Sequence, residues 1–267
     1  MELVSVVIPT YNREKVIERS IRSVLRQEYD NLEILVIDDA SEDNTKQVVE
    51  AIGDTRIKYR RSSRNRGAAF SRNVGIRMAK GKYIAFQDSD DEWLGGKLKK
   101  QLQVMENSQY GLVYSMYERD FGNGKEVAVP DREIPLEHKQ GNIYPYLLKK
   151  SFIGTPTMLF RKEVLQEAGG FEESLKNYED YELALRIARD YEIGYVDEVL
   201  TKAYTLGGSI DFNPLYALGS SCYILKKYEN DLKQYGLYEA KKNALLCYAR
   251  ECGIEKNCNQ IFKDYNI

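Results

Sequence analysis

Apolar positions along the N-terminal half alternate between two periods. Val4 to Thr10 (VSVVIPT) is a β-branched run containing a proline near its end, and Glu14 to Tyr29 then repeats Val16, Ile17, Ile21, Val24 and Leu25 at helical spacing. The pattern predicts a strand followed by an amphipathic helix. Leu32 to Ile37 (LEILVI) reads as the next strand, Ser41 can cap a helix running through Ile52, Ile57 to Arg61 is a short strand and Gly67 to Ala79 is helical. Lys82 to Phe86, Leu94 to Glu106 and Gly111 to Tyr117 continue as strand, helix and strand. This alternation argues for an α/β class with a Rossmann-like, mostly parallel sheet flanked by helices.

From Phe121 to Gly141 the pattern becomes irregular, with Gly122, Gly124, Pro130 and Pro135 among charged residues, and reads as an excursion loop or linker. Gly154 to Phe160 (GTPTMLF) looks extended, Lys162 to Ala168 helical, Glu179 to Tyr191 a helix with Leu183, Ala184, Ile187 and Ala188 on one face, and Tyr195 to Tyr204 a strand. Beyond Asn213 the chain is helical and rich in Lys and Tyr. The expected organisation is one domain over 1–210, in two halves, 1–120 and 121–210, with a helical C-terminal extension over 211–267.

Composition narrows the function classes. The 39 basic and 41 acidic side chains of the 267 residues leave a net charge of −2, so no global field advertises nucleic acid as a partner. No apolar stretch approaches bilayer length and the start lacks a secretory pattern, which gives a cytoplasmic expectation with peripheral contact at the inner face of the membrane left open. Cys222, Cys247, Cys252 and Cys258 lack zinc-site spacing and read as reduced thiols; His138, the single histidine, reads as exposed.

In an open parallel sheet the strand-to-helix turns share the carboxyl edge, where ligands bind. Pro9, Thr10 and Tyr11 follow the first strand, Asp38 and Asp39 the second, and Asp88, Ser89, Asp90 and Asp91 the fourth. No GxGxxG follows the first strand and no P-loop occurs, so phosphates need another neutraliser. Asp88 and Asp90 can offer hard oxygen ligands to Mg²⁺ or Mn²⁺ bridging to a diphosphate; the same residues suit a capped helix N-terminus. Asp38 and Asp39 either start a helix or accept from a base N–H or ribose hydroxyl. Arg60, Arg61, Arg64, Arg66 and Arg72 gather near this rim, where guanidinium groups match phosphate oxygens; the alternatives are a solvated basic turn or a nucleic-acid patch.

The segments VSVVIPTYNRE, ILVIDDAS, NRGAAFSRNVGI and YIAFQDSDDEW, in this order, resemble inverting family-2 glycosyltransferases of the GT-A fold, strongly over residues 3 to 105 and more weakly over 150 to 210. The resemblance implies a nucleotide-sugar donor, usually UDP-linked, with Pro9, Thr10, Tyr11 and Asn12 lining the nucleoside pocket and Asp38 with Asp39 contacting base or ribose. It implies Arg72 facing the nucleotide or its phosphates, Asp88-Ser89-Asp90 as a DxD-type motif with Asp90 on the metal, and Asp88 on ribose or metal-bound water. In NYEDYELALRI it implies Asp180 as the base that deprotonates a sugar hydroxyl, with Glu179 as the alternate; otherwise Asn177 and Asp180 form a helix cap. Trp93, Gly154-Thr155-Pro156 and Gly169-Gly170-Phe171 resemble acceptor-side positions, with core packing and turns as their other reading.

Two features depart from the pattern: Leu206 stands where members often carry a histidine, and Gly95-Gly96 where a proline is common, which should loosen the loop after the acidic motif. The implied activity is transfer of a sugar to a carbohydrate, glycolipid or glycoprotein acceptor in polysaccharide synthesis. A sugar-phosphate nucleotidyltransferase and a non-catalytic nucleotide-sugar-binding or partner-binding module are the alternatives. Oligomeric state has no sequence signal.

Overall fold

The structure is a computed structural model describing residues 1–205 and 213–267. The strands are β1 (Val4–Thr10), β2 (Leu32–Asp38), β3 (Ile57–Arg61), β4 (Tyr83–Phe86), β5 (Glu92–Trp93), β6 (Leu112–Asp120), β7 (Glu126–Val129), β8 (Leu159–Arg161) and β9 (Ile193–Tyr204). Interleaved with them are α1 (Ile17–Leu25), α2 (Thr45–Ala51), α3 (Ala68–Met78), α4 (Lys97–Glu106), α5 (Tyr144–Leu147), α6 (Lys162–Glu167) and α7 (Glu179–Asp190), followed by α8 (Pro214–Lys227), α9 (Glu229–Gln234), α10 (Tyr238–Glu251) and α11 (Glu255–Tyr265).

The strands form one sheet in the order β3-β2-β1-β4-β8-β6-β9-β5, with β7 paired on β6. β1, β2, β3, β4, β6 and β9 run one way, and β5, β7 and β8 run against them. β1 and β2 are buried along their whole length, as continuous apolar strands covered on both faces must be. One face packs Val4, Val6 and Ile8 against Ile17, Ile21 and Val24 of α1 and Leu98 and Leu102 of α4. The other packs Val7, Leu35 and Ile37 against α3 and α7.

Several expected elements differ. α1 begins at Ile17, three residues late, because the turn before it bonds to the loop after β2. Ser41 caps nothing: α2 starts at Thr45, whose N–H donates to Asp43 Oδ1 at 3.0 Å. The irregular stretch contains β7, folded back on β6 around Gly122 and Gly124, whose φ values of 71° and 79° suit glycine. The extended reading of GTPTMLF gives way to a 3₁₀ turn over Thr155–Thr157, with Pro156 fixing its first residues, before antiparallel β8. His138 is partly covered, its ring stacked on Tyr146 at 3.6 Å.

The C-terminal helices pack on the rest of the chain. Ile224, Leu225, Tyr228, Leu232 and Tyr238 join the same apolar cluster as α3 and α7, while Leu218, Cys222, Ala249, Cys258 and Phe262 form a smaller one between α8, α10 and α11. All four cysteines are free thiols. The expected boundary at 210/211, and Leu206, lie outside the described residues. Among the described residues no helix is long and apolar enough to cross a membrane.

Candidate active site

The carboxyl edge brings the ends of β1, β2 and β4 side by side, with Thr10 opposite Asp38 and Phe86 opposite Val7. Two turns knit this rim. The Asn12 N–H donates to Ser41 Oγ at 2.9 Å, the Asn12 side-chain carbonyl accepts from the Glu42 N–H at 2.8 Å, and the Arg13 N–H donates to Thr45 Oγ1 at 2.8 Å. Asn12 and Ala40 hold positive φ, 52° and 71°, a conformation that such residues keep only where surrounding bonds impose it. Pro9 and Thr10 are buried at the strand end and Tyr11 stands exposed on the rim.

Asp38 and Asp39 are both buried and both already bonded. Asp38 accepts from the Ser41 N–H at 2.7 Å and from the Tyr59 hydroxyl, which burial and this carboxylate push up and keep protonated. Asp39 accepts from the Arg66 N–H at 2.9 Å and the Gly67 N–H at 2.6 Å, fixing the start of α3. The pair therefore holds the rim's turns together, and any further ligand contact draws on remaining lone pairs.

Arg72 joins the two halves of the site. Buried on α3, it donates from Nη2 to Asp88 Oδ1 at 2.8 Å and from Nη1 to Glu179 Oε1 at 2.6 Å. Burial opposes its charge, but Asp88 and Glu179 outweigh burial and raise its pKa, so it is a fixed cation. Arg72, expected to face the donor phosphates, is committed to two carboxylates, and among the described residues its buried Nε has no protein partner.

That bridge separates the two candidate bases. Glu179 is tied to Arg72, whereas Asp180 accepts only long bonds on Oδ2, from the Thr155 N–H at 3.3 Å and Thr155 Oγ1 at 3.4 Å, and one from the Tyr181 N–H to Oδ1 at 2.7 Å. Burial first, then the Glu179 charge, push Asp180 up to about 7, with Arg72 offsetting part of the rise. The capping box does not form: α7 begins after Tyr178, at φ 60°, and Asn177 accepts from the Tyr178 N–H next to it.

The acidic loop is held by its backbone. Ser20 Oγ donates to the Asp88 carbonyl at 2.8 Å, and Arg19, 3.9 Å from the centre of the Tyr204 ring, donates to the Asp90 carbonyl. Ser89 is buried between them. Asp91 accepts from the Tyr204 N–H at 3.0 Å, so it ties the loop to β9; burial and the charges of Asp88 and Asp90 push it well above the usual carboxylate range. Asp90, with Arg13 Nε 3.5 Å from its Oδ2, is raised by burial and by Asp88.

Asp88, with one oxygen already taken by Arg72, and Asp90 are the carboxylates of this loop that could hold a divalent cation. They are two crowded carboxylates, with one raised pKa, and among the described residues no cluster of three acidic, His or Cys side chains could form an all-protein cage. Two carboxylates completed by waters and substrate phosphates is the way Mg²⁺-type ions are commonly held. Among the described residues, Thr10 Oγ1, Arg19 Nε, Ser71 Oγ, Arg72 Nε and both amide atoms of Gln87 are buried without a protein partner, on the elements that build this rim.

The Gly154–Thr157 turn that presents Thr155 to Asp180 is itself strapped. Trp93 Nε1 donates to the Pro156 carbonyl at 2.9 Å and Gln101 Nε2 to the Thr157 carbonyl at 2.6 Å. Trp93 is thus core, 2% exposed, and acts on the site through this turn. Gly169 and Gly170, at φ 80° and 75°, set Phe171 against α3, where its N–H donates to Asn73 at 2.8 Å and its ring lies 5.3 Å from the Arg72 guanidinium. Gly96, at φ 77°, starts α4. Sequence reasoning missed Arg13, Arg19 and Ser20; the one available signal was serine at positions 20 and 23 on the otherwise apolar face of α1.

Comparison with known proteins follows this geometry. The model of the family described as Glycosyl transferase family 2 matches residues 5–169. An uncharacterized glycosyltransferase of Rickettsia conorii (strain ATCC VR-613 / Malish 7) is 33% identical over 270 residues, 99% of this chain and 43% of that protein, so the chain spans under half of that relative's length. The UDP-Glc:alpha-D-GlcNAc-diphosphoundecaprenol beta-1,3-glucosyltransferase WfgD of Escherichia coli is 38% identical over 198 residues, 73% of each chain. Among solved structures, the mannosyltransferase PcManGT from Pyrobaculum calidifontis, in complex with GDP-Man and Mn²⁺, aligns with a TM-score of 0.71 over 98% of this chain and 74% of that one; at 17% identity the likeness is one of fold.

Proposed function

The chain belongs to glycosyl transferase family 2 and has the GT-A fold, and from that membership we propose that it moves a sugar from a UDP-sugar to a hydroxyl acceptor with inversion at the anomeric carbon. The observation that carries this reading is the division of labour at one edge of the sheet: Arg72 neutralises Asp88 and Glu179, and leaves Asp180 as the recessed carboxylate with an elevated pKa. A sugar hydroxyl is a poor nucleophile, so Asp180 takes its proton as the oxygen attacks the anomeric carbon and the bond to the donor diphosphate breaks. Such a base contributes typically ~10² to 10⁴ in rate. Asp88 and Asp90 would hold a divalent cation, Mn²⁺ or Mg²⁺, which would supply charge neutralisation to the departing nucleoside diphosphate. Pro9, Thr10, Tyr11, Asn12, Asp38, Asp39 and Ser89 form the donor pocket, and Arg13 and Arg19 add positive charge beside the acidic loop. The acceptor is a glycan, glycolipid or glycoprotein of cell-envelope polysaccharide synthesis; the lipid-diphosphate acceptor named for WfgD favours the glycolipid.

The test is Asp180→Asn. Nucleoside diphosphate release from a UDP-sugar is expected to fall by about 10² to 10⁴ while UDP affinity with Mn²⁺ stays within a factor of a few. Pyrophosphate released from a sugar phosphate plus NTP would instead establish a nucleotidyltransferase. UDP binding without turnover on any acceptor extract would establish a binding module. For the metal, thermal unfolding with UDP and Mn²⁺ at a hundred times Kd should gain about 2.7 kcal/mol, a gain that requires both components and is absent in Asp90→Asn.

A further inference from the structure

β3 is the edge strand on one side of the sheet, and beside it the β3–α3 loop opens a cleft of about 520 Å³. Its charged lining is Arg60, Arg61, Arg64 and Arg66, with Phe70 and Val74 of α3 as the apolar wall and no carboxylate among the lining residues. The guanidinium groups are poorly compensated. Arg61 donates to the Ser41 carbonyl at 2.8 Å, and Arg66 lies 3.6 Å from the centre of the Phe70 ring with Glu173 3.8 Å away. Arg60 reaches only the Met78 sulfur at 3.8 Å, and among the described residues Arg60 and Arg64 have no carboxylate within 4.0 Å. Four positive groups converge on one concavity in a chain whose net charge is −2. Such crowding is relieved by a bound anion, and a guanidinium fork matches phosphate oxygens in two-point geometry.

The donor site does not account for this cleft. None of Thr10, Tyr11, Asp38, Asp39, Asp88 or Asp90 lines it. In the order β3-β2-β1-β4 three strand spacings separate the edge strand from the strand that leads to Asp88, about 14 Å. The β3–α3 loop turns its backbone to the donor rim, through the Arg66 and Gly67 N–H groups on Asp39, and its guanidinium groups to the cleft. The volume exceeds that of a lone phosphate and admits the organic group esterified to it, against Phe70.

We propose that this cleft is a second anion site, which binds a phosphate ester apart from the donor diphosphate. The serine hydroxyls of Ser62 and Ser63, also in the lining, add neutral donors to the charged ones. Such a ligand comes either from a soluble phosphate ester or from a lipid headgroup at a membrane surface.

The test is calorimetric titration of inorganic pyrophosphate in the presence of EDTA, so that no metal recruits it to Asp88 and Asp90. Wild type is expected to bind with an affinity that falls as salt rises. Arg60→Glu/Arg64→Glu should weaken binding at least tenfold and Arg60→Gln/Arg64→Gln less, both keeping the wild-type melting temperature, while Asp90→Asn binds as wild type does. Co-sedimentation with phosphatidylcholine vesicles, with and without phosphatidylglycerol, separates the sources. Capture by the anionic vesicles alone, lost in the double variants, assigns a headgroup; pyrophosphate binding without vesicle capture assigns a soluble ester. No pyrophosphate binding by wild type, equal binding by wild type and both double variants, or loss in Asp90→Asn overturns the proposal.

Discussion

Glu179 and Asp180 are adjacent in sequence, yet among the described residues Arg72 pairs with the first and no cation pairs with the second, and pH should expose the difference. As the proposed base, Asp180, held up to about 7 by burial and by Glu179, must be ionised to accept a proton, so kcat/KM is expected to rise with pH along a limb near 7. In Thr155→Val, which removes the Oγ1 donor to the charged form, the limb should move to higher pH; an unchanged limb would assign it to another group. Stability responds with the opposite sign. A carboxyl whose folded pKa is raised keeps a proton that the unfolded chain releases, so its contribution falls as pH rises from about 4, the unfolded value, to about 7. Asp180→Asn should therefore gain more in melting temperature over wild type at pH 8 than at pH 5. Arg72→Ala strands Asp88 and Glu179 in a mostly buried setting, and a loss of about 3 kcal/mol or more is expected in urea denaturation. Arg72→Lys should recover only part of it, because one ammonium cannot reproduce the planar fork to two partners.

At the scale of elements, the close approach of α3 to β1 sets where Arg72 can reach. A Cβ built on Gly75 would lie 2.3 Å from Val7 Cγ1 and 2.8 Å from Cγ2, so glycine is there for packing. On helix propensity alone Gly75→Ala would stabilise by up to about 1 kcal/mol. Overpacking against the sheet should reverse the sign and destabilise by about 1–3 kcal/mol, with recovery in the Val7→Ala double variant, both read by chemical denaturation. The same scale shows where patterning misleads. Ser41 looked like a helix cap because its residue type and place were right, but its hydroxyl is taken by the Asn12 N–H from another loop. The β7 hairpin was hidden because its four residues include two exposed ones and lie between glycines that also suit a loop.

For the molecule as a whole, the C-terminal helices pack against α7. Glu182 of α7, fully buried, is bonded by Arg186 Nη2 at 2.6 Å, by Lys227 Nζ at 2.7 Å and by the Tyr228 hydroxyl at 3.1 Å. Two of those partners come from beyond residue 213. Removing residues 213–267 is expected to uncover the apolar cluster around Leu225 and Tyr228 and to abolish cooperative unfolding. A truncated chain that melts at the wild-type temperature would show instead that the extension is a separate unit.

The family, the α/β alternation and the carboxyl-edge rim were legible in the sequence because each is encoded locally, in apolar periods and in short motifs at strand ends. Pro9 to Tyr11, Asp38, Asp39, Asp88 and Asp90 could be set on one rim from the strand–helix alternation alone. Only the tertiary structure decided which carboxylate stays free, what Arg72 bridges and what holds the Asp180 turn. Those outcomes depend on contacts such as Arg72 with Glu179, 107 residues apart, and Trp93 with Pro156, 63 apart. No local period encodes a pairing over such a separation; it is fixed when the sheet brings β4, α3 and α7 to the same edge and burial makes Arg72 find its two carboxylates.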